Sequence, residues 1–172
     1  MIISTMCACA KEPAPVKWEY EEDAIKLQIK ADADLNWHGG TSHPLHLCVY
    51  QLKDRNVFDN LSGYKEGLRK LLHYKCSSLF DDRVVKSESL FIHPGKFKSL
   101  TMARAKEAQY VAIAAGYEGF SKNRATGVIE IPVITEKKGF IKRKEIKKPA
   151  HLKIELILGK EQILTFEEIK GK

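Results

Sequence analysis

The sequence predicts a mainly-β protein, a two-sheet β-sandwich with a short helical insertion. Three observations carry that prediction. Short stretches of alternating apolar and polar residues recur along the chain, turn signals separate them at regular spacing, and one segment alone changes to a helical period. With 172 residues, 44% of them hydrophobic, the chain is long enough to bury a core without staples. We divide it into residues 1–21, a truncated signal and extended tether, and residues 22–172, a single sandwich domain. Within that domain a helical insertion is expected at about 57–80 and a C-terminal extension at about 136–172.

The elements follow in order. In "AIKLQIKADADLN", Ile25, Leu27, Ile29 and Ala31 alternate with Lys26, Gln28 and Lys30, the pattern of a half-buried strand. "NWHGGTSH" is a loop, with Gly39-Gly40 as its turn signal. "PLHLCVYQLKD" is a second strand with apolar or neutral groups on both faces, so it is expected at the centre of a sheet. Leu61, Tyr64, Leu68, Leu71 and Leu72 then recur at helical spacing, and Asp59 or Ser62 is a candidate cap. Gly63 and Gly67 weaken that helix, so short pieces are expected.

Strands return in "VVKSESLFIHPGKFKSLTMARAKEAQYVAIAAGYEG", with His93-Pro94-Gly95 as a turn and "YVAIAAGY" apolar enough to be buried on both faces. "GVIEIPVITE" alternates, but Pro132 donates no ladder hydrogen bond, so this strand belongs at an edge or carries a bulge. "EKKGFIKRKEIKKPAH" holds seven basic residues between Lys137 and Lys148 and reads as a solvated loop joining two strands. "HLKIELILGKEQILTFEE" is a hairpin turning at Gly159-Lys160.

The N-terminus raises a different question. "MIISTMCA" is uncharged and apolar or small, too short for a whole signal peptide but similar to the tail end of one, so the start is expected to be truncated. Met6-Cys7-Ala8-Cys9 has the pattern of a bacterial lipobox, and Cys9 fits better than Cys7 because the small Ala8 precedes it. Pro13 and Pro15 favour an extended tether after it. The alternative is an unstructured N-terminus with two incidental cysteines.

Chemistry that would make an enzyme is not written in the chain. It has no P-loop, GxGxxG, GxSxG or HExxH motif. His38, His43, His46 and Cys48 are metal-ligand types, but their spacing is no zinc signature, and His43 and His46 would face opposite sides of one strand. No metal and no cofactor is therefore expected. Cys48 and Cys76 would pair only in an oxidising compartment, and nothing in the sequence sets their distance, so two buried free thiols are expected. The net charge of +7 permits an anionic partner without selecting one. The basic run is interleaved with Phe140 alone among aromatics, so nucleic acid is not an expected partner.

Taken together, the lipobox-like cysteine, the tether, "IKLQIKADADLN", "HPLHLCVYQLKDRNVF", "LFIHPGKFKSL" and "AQYVAIAAGY" resemble the TssJ (SciN/VasD) family over about residues 22 to 134. These are outer-membrane lipoproteins of bacterial type VI secretion systems. The resemblance implies a transthyretin-like sandwich, anchored by a lipid on Cys9 at the periplasmic face of the outer membrane. It implies the periplasmic C-terminal region of the inner-membrane protein TssM as partner, and a tether rather than a catalyst. The loop of Asn36, Trp37, His38, Gly39, Gly40, Thr41, Ser42 and His43 is the expected partner site, because binding groups concentrate on loops held by rigid strands. Trp37 is its candidate anchor. The competing expectation is a periplasmic ligand-binding module for a peptide, sugar or metal, with a pocket lined by Trp37, His38 and Tyr50.

Overall fold

A computed structural model describes residues 15–77, 82–119, 124–138 and 144–170. Cys7 and Cys9, and with them the lipobox, lie outside the described residues. The strands are β1 (Glu21–Ala31), β2 (Leu45–Leu52), β3 (Val84–Ile92), β4 (Phe97–Arg104), β5 (Tyr110–Ala115), β6 (Thr126–Glu130), β7 (Val133–Lys138), β8 (Lys144–Pro149), β9 (Leu152–Leu158) and β10 (Ile163–Glu168). Two helices, α1 (Asn56–Ser62) and α2 (Lys65–Leu72), and a 3-10 turn at Tyr74–Cys76 follow β2.

One sheet has the order β10-β9-β1-β4 and the other β3-β2-β5-β6. The alternation in β1 becomes burial: Ile25, Leu27 and Ile29 are fully covered, whereas Lys30 is exposed. β1 runs parallel to β9, with Leu27 opposite Ile154, and antiparallel to β4, with Leu27 opposite Leu100. In the second sheet β2 and β5 are the two central strands, which is why both are apolar on both faces. Gln51 ties the two sheets together. Its amide donates to Ala103 O at 2.9 Å and its carbonyl accepts the Ala105 N–H at 2.7 Å, so a buried polar side chain on β2 is satisfied by the end of β4.

The helices form a third layer on the outer face of β2. Tyr50 is fully buried, meets Phe58 edge-on at 5.8 Å and donates its hydroxyl to Leu71 O. Burial pushes the Tyr50 hydroxyl's pKa well above the ordinary tyrosine range. On the same face Cys48 is bonded to Cys76, with Cα atoms 5.6 Å apart. This overturns the expected pair of free thiols. The helical insertion folds back over β2 and brings together two residues 28 positions apart, a proximity that strand periodicity does not reveal.

Three other expectations change. Neither Asp59 nor Ser62 caps α1; Asp54 Oδ1 accepts the Asn56 N–H at 2.8 Å, while Asp59 forms an ion pair with Arg55. Tyr64 is exposed and sits at the N-cap of α2, so it leaves the apolar stripe. The stretch around Pro132 is two elements. β6 ends at Glu130 on a sheet edge, and past Pro132 the chain enters β7, which pairs antiparallel with β8 as a separate ribbon. The basic run is thus part of a two-stranded arm rather than only a loop. Residues 139–143 at its turn lie outside the described residues.

The ends of the strands define two poles. At one lie the start of β1, the end of β4 and the start of β9. There the buried Arg104 guanidinium pairs with Glu21 at 2.8 Å and donates to Glu19 O at 3.2 Å. At the other pole lie the end of β1, the loop to β2, the turn between β3 and β4, and the turn between β9 and β10. Gly95, at φ +68, lets that first turn fold tightly, and its N–H donates to Asp32 O at 2.9 Å.

Candidate functional site

The loop from 36 to 43 joins β1 to β2, crossing from one sheet to the other. Its base is rigid. Leu35 is fully buried beneath it, and the His43 N–H donates to Leu35 O at 3.1 Å. Asn36 is buried and takes φ +47, a left-handed conformation that asparagine tolerates better than most residues. Its Oδ1 accepts the Glu118 N–H at 3.0 Å and its Nδ2 donates to Pro44 O at 3.4 Å. Asn36 therefore holds the loop to the segment after β5 instead of presenting a group to a partner.

The tip is a two-residue turn. His38 and Thr41 exchange N–H···O bonds of 3.1 and 3.2 Å, and Gly39 and Gly40 lie at φ +58 and +85. Positive φ at both central positions is the geometry of tight hairpin turns and explains the Gly-Gly pair. His38 and His43 stack at 3.7 Å between ring centroids, and His43 Nε2–H donates to His38 O at 3.2 Å. Thr41 is exposed and Ser42 half-buried along the returning limb.

Trp37 is 40% exposed, so it is not a core residue. Its backbone N–H donates to Lys160 O at 3.0 Å, and Lys160 Nζ lies 5.2 Å from the ring centroid. That cation–π contact orients the ring while leaving much of its area open. Beside it is a cleft of about 530 Å³ lined by Asp32, Asp34, Arg124, Lys160 and Glu161, among others. Lys160 and Glu118 were invisible to sequence reasoning. They reach the loop from the β9–β10 turn and from beyond β5, and no pattern in the sequence marks either contact.

The residues proposed for a ligand pocket do not meet. Tyr50 is sealed under α1, whereas Trp37 and His38 belong to the pole loop. The metal-ligand types divide as well. His38 stacks on His43, while His46 hydrogen-bonds Ser89 at 2.9 Å and stacks on Phe91. Burial lowers the His46 pKa. His46, Cys48 and Cys76 are the group among the described residues whose ligand atoms converge, within 4.8 Å of one another. Zinc-type sites need thiolates, and the two sulfurs are bonded to each other, so the group is a disulfide beside an imidazole.

A family model described as "Type VI secretion lipoprotein, VasD, EvfM, TssJ" matches residues 23–158. No curated protein sequence matches the chain. Among solved structures, the type VI lipoprotein TssJ1 from Pseudomonas aeruginosa is similar, with a TM-score of 0.64 and 15% identity, covering 90% of this chain and 98% of that one. Lip from Serratia marcescens, a membrane-bound component of the type VI secretion system, has a TM-score of 0.60 and 17% identity, covering 86% and 98%. A chain in a structure described as the type VI protein TssM C-terminal domain from EAEC has a TM-score of 0.54 and 18% identity, again covering 86% and 98%. At these identities the likeness shows the fold, a β-sandwich with short helices.

Proposed function

The chain belongs to the type VI secretion lipoprotein family, and from that premise we propose that it tethers the inner-membrane protein TssM to the outer membrane. In this reading Cys9 carries the lipid at the periplasmic face, residues 10–21 form the tether, and residues 22–172 act as one domain. The loop Asn36–His43 binds the periplasmic C-terminal region of TssM. The role is structural, without catalysis.

The observation that carries the reading is the polarity of the sandwich. The tether enters β1 at Glu21, and the loop lies beyond its far end at Ala31, an 11-residue strand away. At ~3.3 Å per residue that strand separates the two by roughly 35 Å. A lipid at one pole thus leaves the loop facing away from the membrane. The Cys48–Cys76 disulfide also supports a compartment outside the cytosol, where such bonds persist. Likeness to a chain in a structure described by the TssM C-terminal domain supports that choice of partner.

Two measurements test the reading. Fatty-acid labelling and membrane fractionation should be lost in Cys9→Ser. The purified TssM periplasmic region should capture the wild-type chain, and deleting the tip Gly39-Gly40 should abolish capture without unfolding the sandwich. Unchanged fractionation in Cys9→Ser sinks the anchor; unchanged capture sinks the loop.

A further inference from the structure

We infer that Cys48, Cys76 and His46 become a zinc-binding site once the disulfide is reduced, the ion then fastening the helical insertion to β2 in place of the S–S bond. The site is independent of the tether and of TssM.

The ligands come from two elements. His46 and Cys48 stand two apart on β2, a central strand, and so share its outer face. Cys76 comes from the 3-10 turn after α2, 28 positions on. The spacing of His46 and Cys48 is no zinc signature by itself, and the third ligand arrives only through the fold. His46 Nε2 lies 3.8 Å from Cys48 Sγ and 3.7 Å from Cys76 Sγ. Tetrahedral bonds of about 2.3 Å to sulfur and about 2.0 Å to nitrogen put those two atoms roughly 3.5 Å apart. The imidazole therefore already stands near ligand distance from both sulfurs.

Only the sulfurs must part, to about 3.8 Å on the same geometry. Cys48 stays fixed, held in the ladder between Ser89 and Ala114. Cys76 is on the element that can give way. Lys75 and Cys76 take φ +53 and +68, left-handed conformations that residues other than glycine adopt at a cost. The disulfide pins that turn to the strand, and reduction frees it to relax.

The surroundings select the ion. Both cysteines are buried, and His46 is half-buried, stacked on Phe91 at 5.0 Å. Two thiolates and one divalent zinc sum to zero charge. A cuprous ion would leave a net negative charge in the same buried place, which is costly. No carboxylate joins the group among the described residues, so the fourth position is left to water. Exposed Lys75 and Ser77 flank Cys76, which brings the bond to within one residue of the surface.

Reduction comes first. A dithiol reductant gives two electrons and two protons: the Cys48–Cys76 bond breaks, each sulfur becomes a thiol, and the reductant's own thiols close to a disulfide. Zinc then forms two Zn–S bonds and one Zn–N bond. The two thiol protons pass to solvent, and neutral His46, its proton on Nδ1, gives the lone pair of Nε2.

The test uses the full chain with Cys7→Ser and Cys9→Ser, which leaves Cys48 and Cys76 as its only cysteines. Reduced with a phosphine under argon, it should bind one equivalent of zinc in equilibrium dialysis, and zinc should raise its melting temperature. The oxidised chain should do neither. Cobalt in place of zinc should give the thiolate-to-cobalt charge-transfer absorption and the intense visible bands of a tetrahedral site. His46→Ala should weaken zinc binding about a hundredfold or more, above the loss a merely supporting residue brings. A melt of its oxidised form verifies folding. Cys48→Ala with Cys76→Ala should abolish binding. X-ray absorption of the zinc-loaded, reduced chain counts ligands without any variant and should find two sulfurs and one imidazole nitrogen. Three results overturn the inference: no stoichiometric zinc on the reduced chain, equal binding by the oxidised chain, or unchanged affinity in His46→Ala. A zinc shell lacking either the sulfurs or the imidazole does so as well.

Discussion

Lys160 stands over Trp37, its ammonium 5.2 Å from the indole centroid while its carbonyl accepts the Trp37 backbone N–H. The backbone bond ties the loop to the β9–β10 turn, the ammonium lies over the ring, and the ring is still 40% exposed at the pole remote from the tether. A pre-oriented, half-covered tryptophan loses little conformational freedom on binding. We predict that Trp37→Ala weakens capture of the TssM periplasmic region by ~2 kcal/mol or more. Its melting temperature should hardly move, because no core contact is lost. Calorimetric titration and a thermal melt of the same preparation decide the matter: a large fall in melting temperature with unchanged affinity would make Trp37 structural.

The disulfide joins β2 to the end of the helical insertion. For a closed loop of 28 residues, the chain-entropy account gives a stabilisation of about 3–4 kcal/mol. Cys48→Ala with Cys76→Ala should lose about that much in denaturant unfolding. Dithiothreitol should destabilise the wild type similarly and leave the double variant unaffected. Equal sensitivity of both proteins to reductant would contradict the assignment.

Gly67 lies where α2 crosses α1. A methyl group there would overlap the Leu61 backbone carbonyl and its carbon atoms, which cannot swing aside as a side-chain tip does. Alanine is the better helix former by about 1 kcal/mol, yet Gly67→Ala should destabilise by roughly 1–3 kcal/mol, the cost of overpacking. Chemical denaturation measures the sign. A more stable variant would mean that α1 and α2 are free to separate.

Acid should act on the chain through Glu21. The His151 hydrogen bond, followed by that of Arg104, lowers its carboxyl pKa below the ordinary value, against the opposing effect of burial. A carboxylate whose folded pKa is depressed binds fewer protons folded than unfolded. Its contribution is therefore complete above the unfolded value of about 4.3 and lost as pH falls through the lower, folded value. Melting temperatures from pH 7 to pH 3 should decline at the acid end less steeply in Glu21→Gln than in the wild type. Parallel curves would remove Glu21 from the account.

Much of this protein was determined by its sequence alone. The two-residue period of Ile25, Leu27 and Ile29 specifies a strand with one face buried, since a one-residue slip would turn every side chain outward. Apolar groups on both faces of "LHLCVYQL" and "YVAIAA" specify central strands. Gly39-Gly40 specifies a tight turn because few other residues accept positive φ in succession. The quoted motifs carried the family resemblance that the family model shows. Tertiary structure decided the remainder. Cys48 and Cys76 meet only because the helices lie on β2, Asn36 is spent on the Glu118 amide rather than offered outward, and Tyr50 is buried rather than facing a pocket. The basic run is a paired ribbon beside the first strand, not just a solvated loop. The physical reason is common to all four. Periodicity reports the geometry of a segment against its own axis, whereas these features depend on which distant segment packs against it, and that is set by the whole core at once.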